Sequence, residues 1–206
     1  MNNGEKEDSL TLSILTAIEK KDDVTQRHLA NDLGVALGLA NSYLKRCAKK
    51  GLIKIKQAPA NRYLYYLTPK GFSEKSRLSA KYLSVSFDFY RKASNSFRSL
   101  YRECMAANAS RILLCGFSEF TEIAFIRAQE FDVELVGIWD PNLRVSKKLG
   151  LPVWTEIEQV PMHDACFITG LGDTAEMIRT IEYLDNTGRL FVPDIPGLSV
   201  SQPGVY

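Results

Sequence analysis

Thr25-Gln26-Arg27-His28-Leu29-Ala30-Asn31-Asp32-Leu33-Gly34, with the run from Leu37 to Lys50 and then Gly51 to Leu67, is the stretch whose reading decides the fold. Thr25 can cap a short helix by accepting from its first free N–H groups, and Gly34 can take the positive φ that ends it. In the second helical run Ala40, Leu44 and Cys47 recur at i, i+4 and i+7 and make an inward stripe. Asn41, Ser42, Lys45, Arg46 and Lys49 fall on the opposite side, which is polar and cationic. After Gly51, two β-prone runs, Leu52 to Lys56 and Tyr63 to Leu67, flank Gln57-Ala58-Pro59-Ala60-Asn61-Arg62, the pattern of a hairpin with a basic tip. Helix, turn, helix and basic hairpin predict a winged helix-turn-helix, and so a chain that binds double-stranded DNA.

Upstream, Leu10, Leu12, Ile14, Leu15, Ala17 and Ile18 make an apolar helical run able to cover Leu29, Leu33, Ala40 and Leu44. In such a module the second helix enters the major groove, and amides, hydroxyls and lysines near its amino end pair with base edges. Asn41, Ser42 and Lys45 are the candidates for that work. Arg46 and Lys49 lie further along and are placed to hold phosphates, while Arg27 and the wing-tip Arg62 are phosphate or minor-groove candidates. Downstream, Pro69 suits the first turn of a helix whose pattern runs to about Ala107. On it Leu83, Phe87, Tyr90, Ser94, Phe97, Tyr101 and Cys104 alternate by four and three, the spacing of a helix–helix seam. This predicts a homodimer closed through Leu83, Phe87, Tyr90, Phe97 and Tyr101. The same stripe could instead pack on the chain's own second domain.

Charge divides the chain in the same place. Residues 1–106 hold 19 Lys and Arg against 10 Asp and Glu, and residues 107–206 hold 7 against 14. A basic front half suits a polyanion-binding surface that the acidic back half lacks. No apolar run approaches the ~18 residues of a membrane span, and a cytoplasmic protein without a membrane partner is expected. Cys47, Cys104, Cys115 and Cys166 form no C-x-x-C pair, and the two histidines supply no zinc-ligand spacing, so four reduced thiols and no metal are expected.

From Arg111 short apolar runs alternate with helical segments. Ile112 to Gly116, Glu134 to Asp140, Pro152 to Trp154, Asp164 to Thr169 and Arg189 to Val192 read as strands; Glu119 to Phe131 and Asp173 to Leu184 read as helices. Alternation of this kind predicts a parallel sheet with crossover helices, a Rossmann-like domain. The expected fold is therefore α/β: a winged helix-turn-helix over residues 1–70, a linking or dimerisation helix over 71–107, and a Rossmann-like domain with an extended tail over 108–206. In that fold the first strand-to-helix turn, Gly116-Phe117-Ser118, the acidic Asp140 ending the second strand, and the Gly170-Leu171-Gly172 turn are the candidate ligand-binding residues. A nucleotide or nucleotide-sugar is the candidate ligand. The phosphate-binding fingerprint is broken, however, with one glycine where three are needed and Glu119 where a pyrophosphate would lie. His163 beside Asp164 is an isolated pair, and no constellation of nucleophile and base is visible, so a regulator rather than an enzyme is expected. A nucleotide-dependent enzyme or an interaction adaptor using the C-terminal domain is the alternative.

The segments Leu33 to Asn41, Leu44-Lys45, Lys50-Gly51-Leu52-Ile53-Lys54 and Asn61 to Gly71, ending Tyr65-Tyr66-Leu67-Thr68-Pro69-Lys70-Gly71, resemble the MarR-type regulators associated with exopolysaccharide gene clusters. The resemblance covers about residues 10 to 95 and implies a transcription regulator of polysaccharide-related genes. Residues 111–188 are similar, more loosely, to the Rossmann-like domains at the front of bacterial sugar acyltransferases and to CoA-binding-type domains. In layout the chain also resembles redox-sensing repressors that join a winged helix to an NADH-binding domain. Together these imply a small-molecule effector acting on the C-terminal half.

Overall fold

The structure is a computed structural model, and it describes residues 3–21, 25–59, 62–171, 177–181 and 189–195. The chain divides into two compact units, Met1–Phe87 and Asp88–Tyr206.

In the first unit, α1 (Asn3–Lys20), α2 (Gln26–Asp32) and α3 (Leu37–Lys49) precede a hairpin of β1 (Ile53–Ala58) and β2 (Arg62–Leu67). Local chemistry sets each boundary. The Thr25 hydroxyl accepts from the His28 N–H at 3.1 Å and caps α2. Both α2 and α3 end in the paired reverse hydrogen bonds of a left-handed glycine stop. Val35 N–H donates to Ala30 O and Gly34 N–H to Asn31 O, with Gly34 at φ 59°; Leu52 N–H donates to Cys47 O and Gly51 N–H to Ala48 O, with Gly51 at φ 71°. Ile14, Leu15, Ile18, Leu29, Leu44, Cys47, Leu52, Ile53 and Tyr65 form the core. The Tyr65 hydroxyl accepts from Gln26 Nε2 at 3.1 Å, tying α2 to the hairpin.

The Thr68-Pro69-Lys70-Gly71 turn launches α4 (Pro69–Ala106). Thr68 Oγ1 accepts from the Gly71 N–H and donates to Gly51 O at 2.7 Å. A Cβ on Gly71 would lie 2.0 Å from the Leu52 carbonyl oxygen, so a glycine is needed for the helix to start against β1. At its other end α4 stops on Asn108, at φ 53°, with Ala109 N–H donating to Cys104 O.

The second unit is a six-stranded sheet built from β3 (Arg111–Cys115), β4 (Glu134–Trp139), β5 (Lys147–Lys148), β6 (Leu151–Trp154), β7 (Ala165–Ile168) and β8 (Leu190–Phe191). Its order is β5-β6-β4-β3-β7-β8, with every neighbouring pair parallel except β5 with β6. Helix α5 (Glu119–Ala128) crosses from β3 to β4, and residues 177–181 are helical. Not every parallel link carries a helix. The link from β4 to β6 is a loop carrying the short β5, and the link from β6 to β7 holds only the 3-10 turn Ile157–Gln159. Pro141 and Pro161, with Gly150 at φ 78°, interrupt those links.

A face of the sheet is covered instead by the C-terminal half of α4. Ala93, Phe97, Leu100, Tyr101 and Cys104 belong to the core of this unit. The Tyr101 ring lies 4.9 Å from that of Phe167, and its hydroxyl donates to Ala124 O at 2.9 Å. Burial pushes the Tyr101 hydroxyl pKa well above its ordinary value and the Cys104 thiol up to about 11. Two of the residues expected at a dimer seam, Phe97 and Tyr101, are thus fully enclosed by their own chain, with the buried Ser94 between them and the exposed part of the helix. The second half of the 3.5-residue stripe is taken up within the chain by Phe167 of β7, by Phe131 and by the Ala124 carbonyl of α5. Leu83, Phe87 and Tyr90 remain exposed, at 51%, 57% and 39%.

Candidate nucleic-acid interface and ligand cleft

Helix α3 turns Ala40, Leu44 and Cys47 inward and leaves Ser42, Lys45, Arg46 and Lys49 exposed. Ser42, Lys45 and Lys49 share one side, since offsets of three, four and seven bring residues to the same helical face. Arg46 differs in being held within the unit. Its guanidinium pairs with Glu7 at 3.1 Å and sits 4.8 Å from the Tyr43 ring centroid. Hydrogen bonding from Arg46, and then from Lys50, keeps the Glu7 carboxyl below the usual carboxylate range. Asn41 is half-buried, and its Oδ1 is enclosed with no hydrogen-bond partner among the described residues, so it has less reach than Ser42 or Lys45. Arg27 is exposed on α2. Arg62 opens β2 opposite Ala58, while Asn61 beside it lies outside the described residues.

Sequence reasoning overlooked two groups. Lys54 and Lys56, exposed and two residues apart on β1, project from one face of the hairpin, a period-2 signal present in Ile53-Lys54-Ile55-Lys56. Leu37 and Leu39 are 43% and 41% exposed at the amino end of α3, where an apolar side chain can meet a thymine methyl.

Residues 7–54 match the family model described as winged helix-turn-helix DNA-binding. The first unit contains a winged helix-turn-helix DNA-binding domain. Among solved structures the chain is similar to the S. aureus MepR–DNA complex, at 21% identity and a TM-score of 0.35, over 42% of this chain and 60% of that one. It is also similar to a MarR-family transcription regulator, at 18% identity and a TM-score of 0.35, over 59% of this chain and 66% of that one. The chain thus spans about 60% and 66% of the length of those two structures. No curated protein matches it. No described helix is long and apolar enough to cross a membrane.

In the second unit the strand order places β4 on one side of β3 and β7 on the other. A crevice opens at the carboxyl ends of two strands that diverge in this way. A cleft of about 810 Å³ lies there, and Gly116, Phe117, Asp140 and Gly170 all line it. Four of the six expected ligand residues, drawn from three separate segments, are therefore brought together. Ser118 instead caps α5, accepting from Phe120 N–H at 3.0 Å, and its hydroxyl donates to Thr169 O. Gly172 lies outside the described residues.

The roles differ from those expected. Gly116 has φ 82°, and a Cβ there would meet the Gly170 Cα at 2.5 Å; a Cβ on Gly170 would meet the Gly116 Cα at 3.0 Å and the Met177 Cε at 2.8 Å. The two glycines let the ends of β3 and β7 pack on each other. Asp140 Oδ2 accepts from the Phe117 N–H and Oδ1 from the Asn142 N–H, each at 2.9 Å. The backbone donor that a phosphate would use is thus occupied by the chain's own carboxylate, and Glu119 and Glu122 make the first turn of α5 acidic. These features oppose the nucleotide reading.

His163 and Asp164 each engage other parts of the chain. The imidazole engages Pro161 O at 2.9 Å and Cys166 Sγ at 3.2 Å, and Asp164 accepts from the N–H groups of Ser110 and Arg111. Those two backbone donors hold its carboxyl below the usual range.

Proposed function

We propose that this chain is a DNA-binding transcription regulator that works as a homodimer, with the C-terminal parallel-sheet unit, Rossmann-like in its strand order, as the sensor of a small-molecule effector. The observation that carries this reading is the exposed cationic face of α3, with Ser42, Lys45 and Lys49 on one side of the second helix of a winged helix-turn-helix domain. Base reading falls to Ser42, Lys45 and, with less reach, Asn41. Lys49, Arg27, Arg62, Lys54 and Lys56 hold phosphates, and Arg46 joins them when it leaves Glu7.

The case for a second copy rests on α4. Tyr82, Leu83, Val85 and Phe87 are each more than half exposed. Leu83 and Phe87, four residues apart, share one helical face and form an exposed apolar surface that water disfavours and a two-fold partner would cover. A two-fold protein reads an inverted repeat with half-sites about one helical turn apart. An effector alters DNA affinity only if it binds one arrangement of the dimer better than another. Genes for surface polysaccharide are the proposed targets, on the resemblance of Leu33 to Gly71 alone.

The decisive experiment selects binding sites for the purified chain from fragmented genomic DNA and measures affinity for the winning site by fluorescence anisotropy across salt. An inverted repeat bound with a steep salt dependence is expected; equal affinity for random duplexes would end the regulator reading. Sedimentation of wild type against Phe87→Glu tests the pairing surface, with conversion from dimer to monomer expected.

A further inference from the structure

The amino end of α3 narrows what the reading face can recognise, an inference that rests on the DNA-binding reading. From Val35 to Ala40 the chain runs Val-Ala-Leu-Gly-Leu-Ala, without a polar atom in any side chain. Ala36 stands at the N-cap and offers no side-chain hydrogen bond, whereas Thr25 and Ser118 cap α2 and α5. In a helix-turn-helix module the side chains near the amino end of the second helix meet the base edges. Here those side chains cannot pair with a base donor or acceptor. Among the four bases, the apolar mark displayed in the major groove is the C5-methyl of thymine.

Gly38 adds an independent sign. The other described glycines beyond α1 either take a positive φ, as Gly34 and Gly51 do, or pack where a Cβ would collide, as Gly71 and Gly170 do. Gly38 does neither: it is exposed, its φ is not positive, and a Cβ there would meet nothing within 4 Å. A glycine inside a helix is less favourable than an alanine, and nothing among the described residues accounts for this one. It lies four residues before Ser42 and seven before Lys45, on the outward face those two share. Leu37 and Leu39, each about 100° away round the helix, flank it at 43% and 41% exposed. The absent Cβ leaves a notch between two apolar walls.

We propose that Gly38, between Leu37 and Leu39, seats the C5-methyl of a thymine in the major groove. Each half-site then carries one thymine recognised by shape at the first turn of α3, while Ser42 and Lys45 read neighbouring bases by hydrogen bonding.

The test is a methyl scan of the selected duplex. Each thymine is replaced in turn by deoxyuridine, which lacks only that methyl, and affinity is measured by fluorescence anisotropy. One thymine in each half-site is expected to be sensitive, its replacement weakening binding about fourfold, the worth of one buried methyl group. Gly38→Ala is expected to abolish that sensitivity and to weaken binding of the thymine duplex at least about tenfold, because the notch is then overfilled. Its melting midpoint by circular dichroism should stay level or rise, which separates the loss from a folding defect. Sensitivity retained in Gly38→Ala, or wild-type affinity in that variant, overturns the proposal. The scan on the wild-type chain decides it independently of how the variant folds. A duplex preferred over random DNA yet indifferent to deoxyuridine at every position sinks the notch and leaves the regulator reading standing; the absence of any preferred duplex ends both.

Discussion

The outer face of α3 and the cleft at the ends of β3 and β7 are built on opposite plans. The first is a cationic surface of long side chains with open space around them; a Cβ added to Gly38 would touch nothing within 4 Å. The second is a pocket among strand ends with acidic lining, closed glycine packing and backbone donors mostly satisfied from within. Polyanion binding needs only exposed positive charge on a rigid element, because phosphates are taken by Coulomb attraction and counterion release. Selecting a small ligand needs enclosure and a few unsatisfied groups at fixed points. A count of charges along the chain therefore speaks to the first kind of site and not to the second.

The largest effect is expected where packing is tightest. Gly116→Val would force a side chain into the Gly170 backbone at a φ that disfavours it, and should cost about 3 kcal/mol or more. Both tryptophans lie in the second unit, so urea unfolding followed by their fluorescence reports on that unit. An unmoved transition would show that the glycine pair is not a packing device. Next in size, Ser42→Ala with Lys45→Ala should lower affinity for the selected site roughly 10- to 100-fold with the unfolding curve unchanged, given about 1–3 kcal/mol for a good base contact. Retained affinity would move the reading surface elsewhere.

Lys49→Ala should weaken binding to all duplexes alike and reduce the salt slope by about 1, as expected for one phosphate contact. Loss of sequence discrimination instead would make Lys49 a base reader. Smallest of all, Glu7→Gln should raise DNA affinity by less than about fivefold, since it frees Arg46 and Lys50 from an exposed pair. Because the Glu7 carboxyl titrates below its usual range, the pair contributes stability at neutral pH. That contribution is lost only as pH falls through the lowered pKa, so wild type should approach the Glu7→Gln unfolding profile in acid and stay distinct from it at neutrality.

Much of this architecture was legible along the chain. Thr25, Gly34, Gly51 and Pro69 marked helix ends through their own backbone preferences, and the stripe of Ala40, Leu44 and Cys47 fixed which side of α3 faced out. The same reasoning misassigned Phe97 and Tyr101, because a 3.5-residue stripe states that a face will be buried and not by what. It placed a helix after β3, where α5 lies, and read Pro152 to Trp154 as a strand, but it did not see β5 or the 3-10 turn at Ile157–Gln159. Glu7 could not be foreseen as the partner of Arg46, since they are distant in sequence and meet only once α1 lies beside α3.

The sequence by itself determined the order of elements, the winged helix-turn-helix and its cationic face, because those depend on local dihedral preference, residue periodicity and formal charge. Only the tertiary structure decided that Gly116 meets Gly170 and that Asp140 occupies the turn N–H. Those are contacts between segments remote along the chain, and their energies depend on distances that no pattern of residues specifies until the sheet has closed.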